Sequence, residues 1–158
     1  HGFLRGYGQY QVSGDFNVNS ISGMPASGGV PEIPASGTNY FVGGQLIGNG
    51  IIKRGDTSIL TLRYGSTSTA RDISFGLESR YPVTPQFRVN PRFRYLHRTG
   101  LENDSRLNTV RLSGKADYTY RSMHFEGELG VDFTNDTFAD ITTRSRGIFT
   151  YIGYRWDF

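Results

Sequence analysis

A chain of 158 residues has room for one domain, and its balance is unusual: 36% apolar but 14% aromatic, with ten Tyr, eleven Phe, 21 Gly and a mean hydropathy of −0.43. No run approaches the roughly 20 consecutive apolar residues of a spanning helix, which excludes a helical membrane protein. With no Cys and three scattered His there is neither a disulfide framework nor a Cys/His metal site, and the net charge of +3 (pI near 9.3) is spread along the chain instead of gathered in a tail, which argues against nucleic acid as a partner.

Period-two alternation runs through nearly the whole chain, and no stretch shows helical periodicity. Strand one is predicted near 2–13; no basic, apolar leader precedes it, so a signal peptide is expected to have been removed or to lie upstream. The Gly/Ser/Pro-rich segment 14–38 is expected to be a long outward loop, with Met24, Pro25, Val30, Pro31, Ile33 and Pro34 offered to a protein partner or plugging a mouth. Strand two, 39–52, has mixed faces because Phe41, Ile47 and Ile51 break the pattern set by Val42 and Leu46. Lys53-Arg-Gly-Asp56 turns into strand three (57–66), Ser66–Ala70 leads to strand four (71–81), and Pro82–Pro85 turns tightly into strand five (86–98). Thr99–Ser105 precedes strand six (106–121), Arg121-Ser122 forms a minimal turn into strand seven (122–134), and Asn135–Ser145 leads to strand eight (146–158). Alternately long and short connections predict an all-β, antiparallel up-and-down transmembrane β-barrel over residues 1–158, eight strands as given. Pro91 removes a ladder donor from strand five and is expected at a bulge.

Alternation alone also fits a soluble barrel with its apolar face inward. The aromatic residues separate the two. Tyr81, Phe87, Tyr120, Phe125, Trp156 and Phe158 are expected to gather at the rim with the short turns, and Tyr10, Tyr40, Tyr64, Tyr95 and Phe133 at the opposite rim. Two aromatic girdles are what a bilayer requires at its two interfaces.

The other face is charged. If strands six and seven pair through Arg121-Ser122, Lys115 faces Glu128, Arg111 faces Asp132, and Asp117 sits beside Glu126 with Arg155 or Arg121 as the expected cation. The register expected for strands five and six sets Arg92 opposite Arg111, like charges that need Glu126, Glu128 or Glu78 between them. Arg88, Arg92, Arg94, Arg111, Lys115, Asp117, Glu126, Glu128, Asp132 and Arg155 are the expected ionic network of the barrel interior. The alternative is a basic conduit, adding Arg63 and Arg80, that attracts anionic solutes.

Catalytic patterns are weak. His97 has Glu102, Asp104 and Ser105 in its own loop and His124 neighbours Glu126, but nothing resembles the His/Ser motifs of outer-membrane lipid A deacylases, palmitoyltransferases or barrel proteases. The expectation is no enzyme and no cofactor. Arg54-Gly55-Asp56 matches the cell-adhesion tripeptide but occupies a predicted tight turn, and Asn103 and Asn135 head formal glycosylation acceptors.

The last segment, Gly147-Ile-Phe-Thr-Tyr-Ile-Gly-Tyr-Arg-Trp-Asp-Phe158, resembles the C-terminal signature of bacterial outer-membrane β-barrels. That resemblance implies an outer-membrane location, contact with bilayer and lipopolysaccharide, and an insertion machinery that reads Tyr154, Trp156 and Phe158. A narrower one rests on Arg80-Tyr-Pro-Val-Thr-Pro-Gln-Phe-Arg-Val-Asn-Pro-Arg-Phe-Arg94 and Gly153-Tyr-Arg-Trp-Asp-Phe158, which look like the closing strands of barrels attached to tetratricopeptide-repeat regions in proteobacteria. It implies an anchor or structural module of an export or envelope assembly, with these strands as the closing part of a larger barrel. A small-solute or anion-preferring channel and a surface adhesion barrel are the alternatives.

Overall fold

The computed structural model describes residues 8–21, 37–102 and 104–157. Within them the chain is all-β: β1 (Gln9–Ile21), β2 (Gly37–Asn49), β3 (Thr57–Ser66), β4 (Ala70–Pro82), β5 (Phe87–Gly100), β6 (Arg106–Tyr120), β7 (Met123–Phe138) and β8 (Ile141–Trp156). Each strand pairs antiparallel with its sequence neighbour, giving one sheet in the order β1 to β8. The predicted closure is not observed. No Cα of β1 lies within 8 Å of one in β8 among the described residues, so the sheet has two free edges.

Three connections differ from the sequence reading. β2 ends at Asn49 and not at residue 52, so Ile51 and Ile52 belong to the connection 50–56, where their backbone N–H groups bond Asp56. β1 continues to Ile21 and β2 begins at Gly37, so Gly14–Ile21 and Gly37–Thr38 of the expected loop are strand. The remainder, 22–36, lies outside the described residues, as do residues 2–7 of the predicted first strand, Asn103 and Phe158. Asn and Asp at 15, 17 and 19 disfavour strands locally, yet Phe16 and Val18 maintain the alternation between them. At the other end of the chain, β7 and β8 run through the predicted loop Asn135–Ser145 to a two-residue turn at Ala139-Asp140, with φ of 47° and 64°. Two consecutive left-handed residues are what a tight hairpin needs to match the twist of its strands, although Ala lacks the usual Asn or Gly chemistry.

Pro91 sits opposite Gly114 in unbroken register with β6. Towards β4 the ladder is interrupted: pairing passes from Glu78–Arg92 to Tyr81–Val89 with nothing between. The offset is the same on both sides of the gap, so Pro91 leaves a break in pairing and not the expected bulge. The proline has no N–H to give, and the ladder stops where that donor is missing.

Among the described residues no apolar side chain is buried, and Val12, Ile152 and Tyr154 are 79%, 86% and 82% exposed. A two-layer domain in water covers its apolar face with a second layer. Here one layer stands alone.

Candidate functional site

Residues paired across a ladder share a face, so the registers sort every side chain. One row is apolar from edge to edge: Val12, Leu46, Leu60, Leu77, Phe93, Leu112, Val131 and Ile148. On β1, Val12 is near the lower end of the apolar stretch, directly above Tyr10. On β8, Ile148 is at its upper end, because the next residues on that face are Arg146 and Arg144. The apolar belt therefore crosses the sheet obliquely.

Its slope can be read from the pairings. A straight row starting at Val18, the upper end on β1, passes through Tyr40, Ser66, Arg71, Thr99, Arg106 and Thr137 to Thr142. The belt on β8 ends at Ile148, six residues away (148 minus 142), after seven strand-to-strand steps. At about 3.3 Å per residue and 4.8 Å between strands, that slope is roughly 30°. On β7 the belt runs from Met123 to Phe133, ten residue steps or about 33 Å along the strand, and about 28 Å measured across the tilted belt.

The rims are aromatic. Tyr81, Phe87, Tyr120, Phe125, Tyr154 and Trp156 lie on the apolar face at the end with the Pro82–Gln86 and Arg121-Ser122 turns. Trp156 donates its indole N–H to Ser122 Oγ at 3.1 Å, fixing the ring at that rim. Tyr40, Tyr64, Tyr95 and Phe133 occupy the other rim as predicted. Tyr10 does not: it pairs with Gly48 near the short-turn end, because β1 starts at Gln9, and Phe16 occupies the upper part of β1 instead.

The opposite face is polar and carries the charges at the height of the belt, whereas Arg71, Arg106, Arg144 and Arg146 lie on the apolar face beyond its upper end. β6 and β7 pair as predicted, with Lys115 opposite Glu128 and Arg111 opposite Asp132. Arg111 holds Asp132 through two parallel bonds of 2.6 and 2.9 Å, and its guanidinium lies 5.4 Å from the Phe149 ring centre. That ring crosses Gly130, where any Cβ would collide with it. Lys115 reaches diagonally to Glu126 and, at 3.5 Å, to Asp117, so it is the cation that relieves the carboxylate pair. Asn90 donates to Asp117 at 2.7 Å and the Tyr151 hydroxyl to Glu126 at 2.8 Å.

Neither expected cation fills that role. Arg155 pairs with Asp157 at 3.0 Å, and the Arg121 guanidinium lies 5.4 Å from the ring centre of neighbouring Tyr120. The β5–β6 register is also two residues from the expected one: Arg94 faces Arg111, and Arg92 faces Ser113. Arg92 instead bonds Glu78 at 3.0 Å and approaches Glu128 at 3.8 Å. Arg63, Arg80, Arg88 and Arg94 have no carboxylate within 4.0 Å among the described residues.

A concavity of about 610 Å³ opens on this face near the short turns, between β4 and β8. At its edge Thr119 and His124 are direct cross-strand partners, with the hydroxyl 2.9 Å from Nδ1, while Nε2 lies 3.1 Å from Asp157. The sequence reading did not find this chain of contacts, because it links three strands only through their registers. A hydroxyl, imidazole and carboxylate in series resembles a hydrolase triad; here Thr119 and His124 are paired strand residues and Asp157 follows the end of β8. Comparison with known proteins returned no matching family model, no matching curated protein and no matching solved structure.

Proposed function

We propose that the chain forms wall of a bacterial outer-membrane β-barrel, serving without enzymatic chemistry as a membrane anchor or structural module, in the setting of an export or envelope assembly. The oblique apolar belt carries this reading. A membrane barrel must tilt its strands, typically by 35–45°, so a lipid-facing band that is level with the bilayer has to run slantwise across the ladder. A slope of roughly 30° and a height of about 28 Å, with aromatic rims, are close to those requirements, including an apolar band of about 25 Å. A soluble sheet covered by a second layer needs no such slope.

On this reading bilayer and lipopolysaccharide meet the belt, and Tyr154, Trp156 and Phe158 form the segment read by the insertion machinery. Segment 22–36 is the part of the former loop left for a protein partner. In vesicles whose acyl chains carry bromine near the headgroups, Trp156 emission is expected to be strongly quenched. A chain that stays monodisperse in plain buffer, with Trp156 unaffected by the vesicles, excludes a membrane wall.

The two free edges then need each other. Aligning the rims sets Tyr10 opposite Trp156 and Val18 opposite Ile148, with Asp15 and Tyr151 sharing the inner face. In vesicles, the double variant V18C/I148C is expected to form a disulfide within one chain, as eight strands closing alone require. A bond between chains indicates a wall shared by copies, and no bond at all means that further strands fill the gap, as in a larger barrel. The arginines without carboxylate partners favour a second reading, a passage for small anions.

A further inference from the structure

We propose that the concave polar face holds a phosphate-type oxyanion between Arg80 and Arg88. The concavity is lined by five cationic side chains, Arg80, Arg88, Arg92, Lys115 and Arg155, against three carboxylates, Glu78, Asp117 and Glu126. Three of the five cations are already engaged: Arg92 by Glu78, Lys115 by Glu126 and Asp117, and Arg155 by Asp157. Asp117 stands directly opposite Arg88 in the ladder, but its oxygens are met by Asn90 and Lys115. Arg80 and Arg88 thus keep their guanidinium donors for something else, and among the described residues no carboxylate is within 4.0 Å of either.

Their placement is the second observation. They stand on adjacent strands: Arg80 lies in the break that Pro91 leaves in the β4–β5 ladder, without a cross-strand partner on β5, and Arg88 follows just beyond that break, opposite Pro82. Two planar forks facing one concavity suit an anion with three or more oxygens, which can accept from both at once, better than a halide or a single carboxylate. The flanking ion pairs supply cations already neutralised, so a strongly charged ligand is drawn to the unneutralised pair.

This proposal rests on the barrel-wall reading, which turns the polar face away from lipid, and the Trp156 measurement tests that reading separately. The test is calorimetric titration of the full chain, folded in neutral detergent micelles, with inorganic phosphate at low salt. Saturable binding in the range of roughly millimolar or tighter is expected, weakening at least tenfold in R80Q/R88Q and by a smaller factor in R80K/R88K, which keeps both charges but loses the planar forks. R63Q, on the same face but outside the concavity, is expected to bind as the parent does. Far-UV circular dichroism confirms that each variant is folded; neither targeted arginine has an ion pair to lose. Competition by phosphatidylglycerol in mixed micelles assigns the site to a lipid phosphate, and its absence to a free solute. No saturable heat in the parent, or equal binding in folded R80Q/R88Q, overturns the proposal.

Discussion

Leu129→Arg is expected to cost about 2–4 kcal/mol of stability in lipid vesicles. Leu129 projects from β7 in the middle of the belt and is 61% exposed in the isolated sheet, so in water an arginine there would gain solvation. In a bilayer the same residue meets the hydrocarbon midplane, where a guanidinium must snorkel or carry water with it. The control is Thr142→Arg: Thr142 is on the same face as Leu129 but six residues beyond Ile148, where the belt ends on β8, and its replacement should cost about 0–1 kcal/mol. Reversible urea unfolding from vesicles measures both. Equal effects for the two variants, or a gain for Leu129→Arg, would remove the membrane from the account, because depth dependence is the property that only a bilayer supplies.

Asp56→Ala should lower stability by about 2–3 kcal/mol, for reasons independent of any membrane. Asp56 is 1% exposed, the most enclosed charged residue among those described. Its carboxylate accepts backbone N–H bonds from Ile51 and Ile52 at 2.8 Å each and from Lys53 at 3.3 Å. Its own backbone closes the loop, with Asp56 N–H on Lys53 O at 3.1 Å and Gly50 N–H on Asp56 O at 3.0 Å. Gly50 and Gly55 take φ of 70° and 89°, values that let the chain fold around the carboxylate. Alanine leaves three donors without their acceptor, whereas Asp56→Asn keeps one oxygen and should lose about half as much. An unchanged denaturation midpoint for Asp56→Ala would show that water replaces the carboxylate without cost. The enclosure also bears on Arg54-Gly55-Asp56: the acid that an adhesion receptor would grip is turned into its own loop, so the tripeptide is a turn device.

The faces were legible from the sequence wherever the alternation was clean, as in β6 and β7, because a period of two survives any shift by an even number of residues. Register was legible only where a turn pinned it. Arg121-Ser122 is two residues long and fixed Lys115 against Glu128, whereas the longer Thr99–Ser105 connection left β5 free to slide by two, and Arg94 rather than Arg92 met Arg111. Turn composition misled twice. Asn135 and Asp136 read as loop but are paired with Arg144 and Thr143, while the true turn, Ala139-Asp140, carries neither Gly nor Asn. Asn17 and Asn19 hid the upper half of β1 in the same way, which misplaced Tyr10. Diagonal partners such as Lys115 with Glu126 need side-chain reach as well as register, and neighbours in sequence do not encode that.

The bare margins of β1 and β8 also bear on how such a chain is made. Every contact between strands joins consecutive hairpins, so assembly can proceed locally and fast. A seam between Tyr10 and Trp156 would be the exception, the longest excursion available to the chain and therefore its last step. Until such a seam is sewn, the unpaired N–H and C=O groups along both margins can template the stacking of one molecule on another.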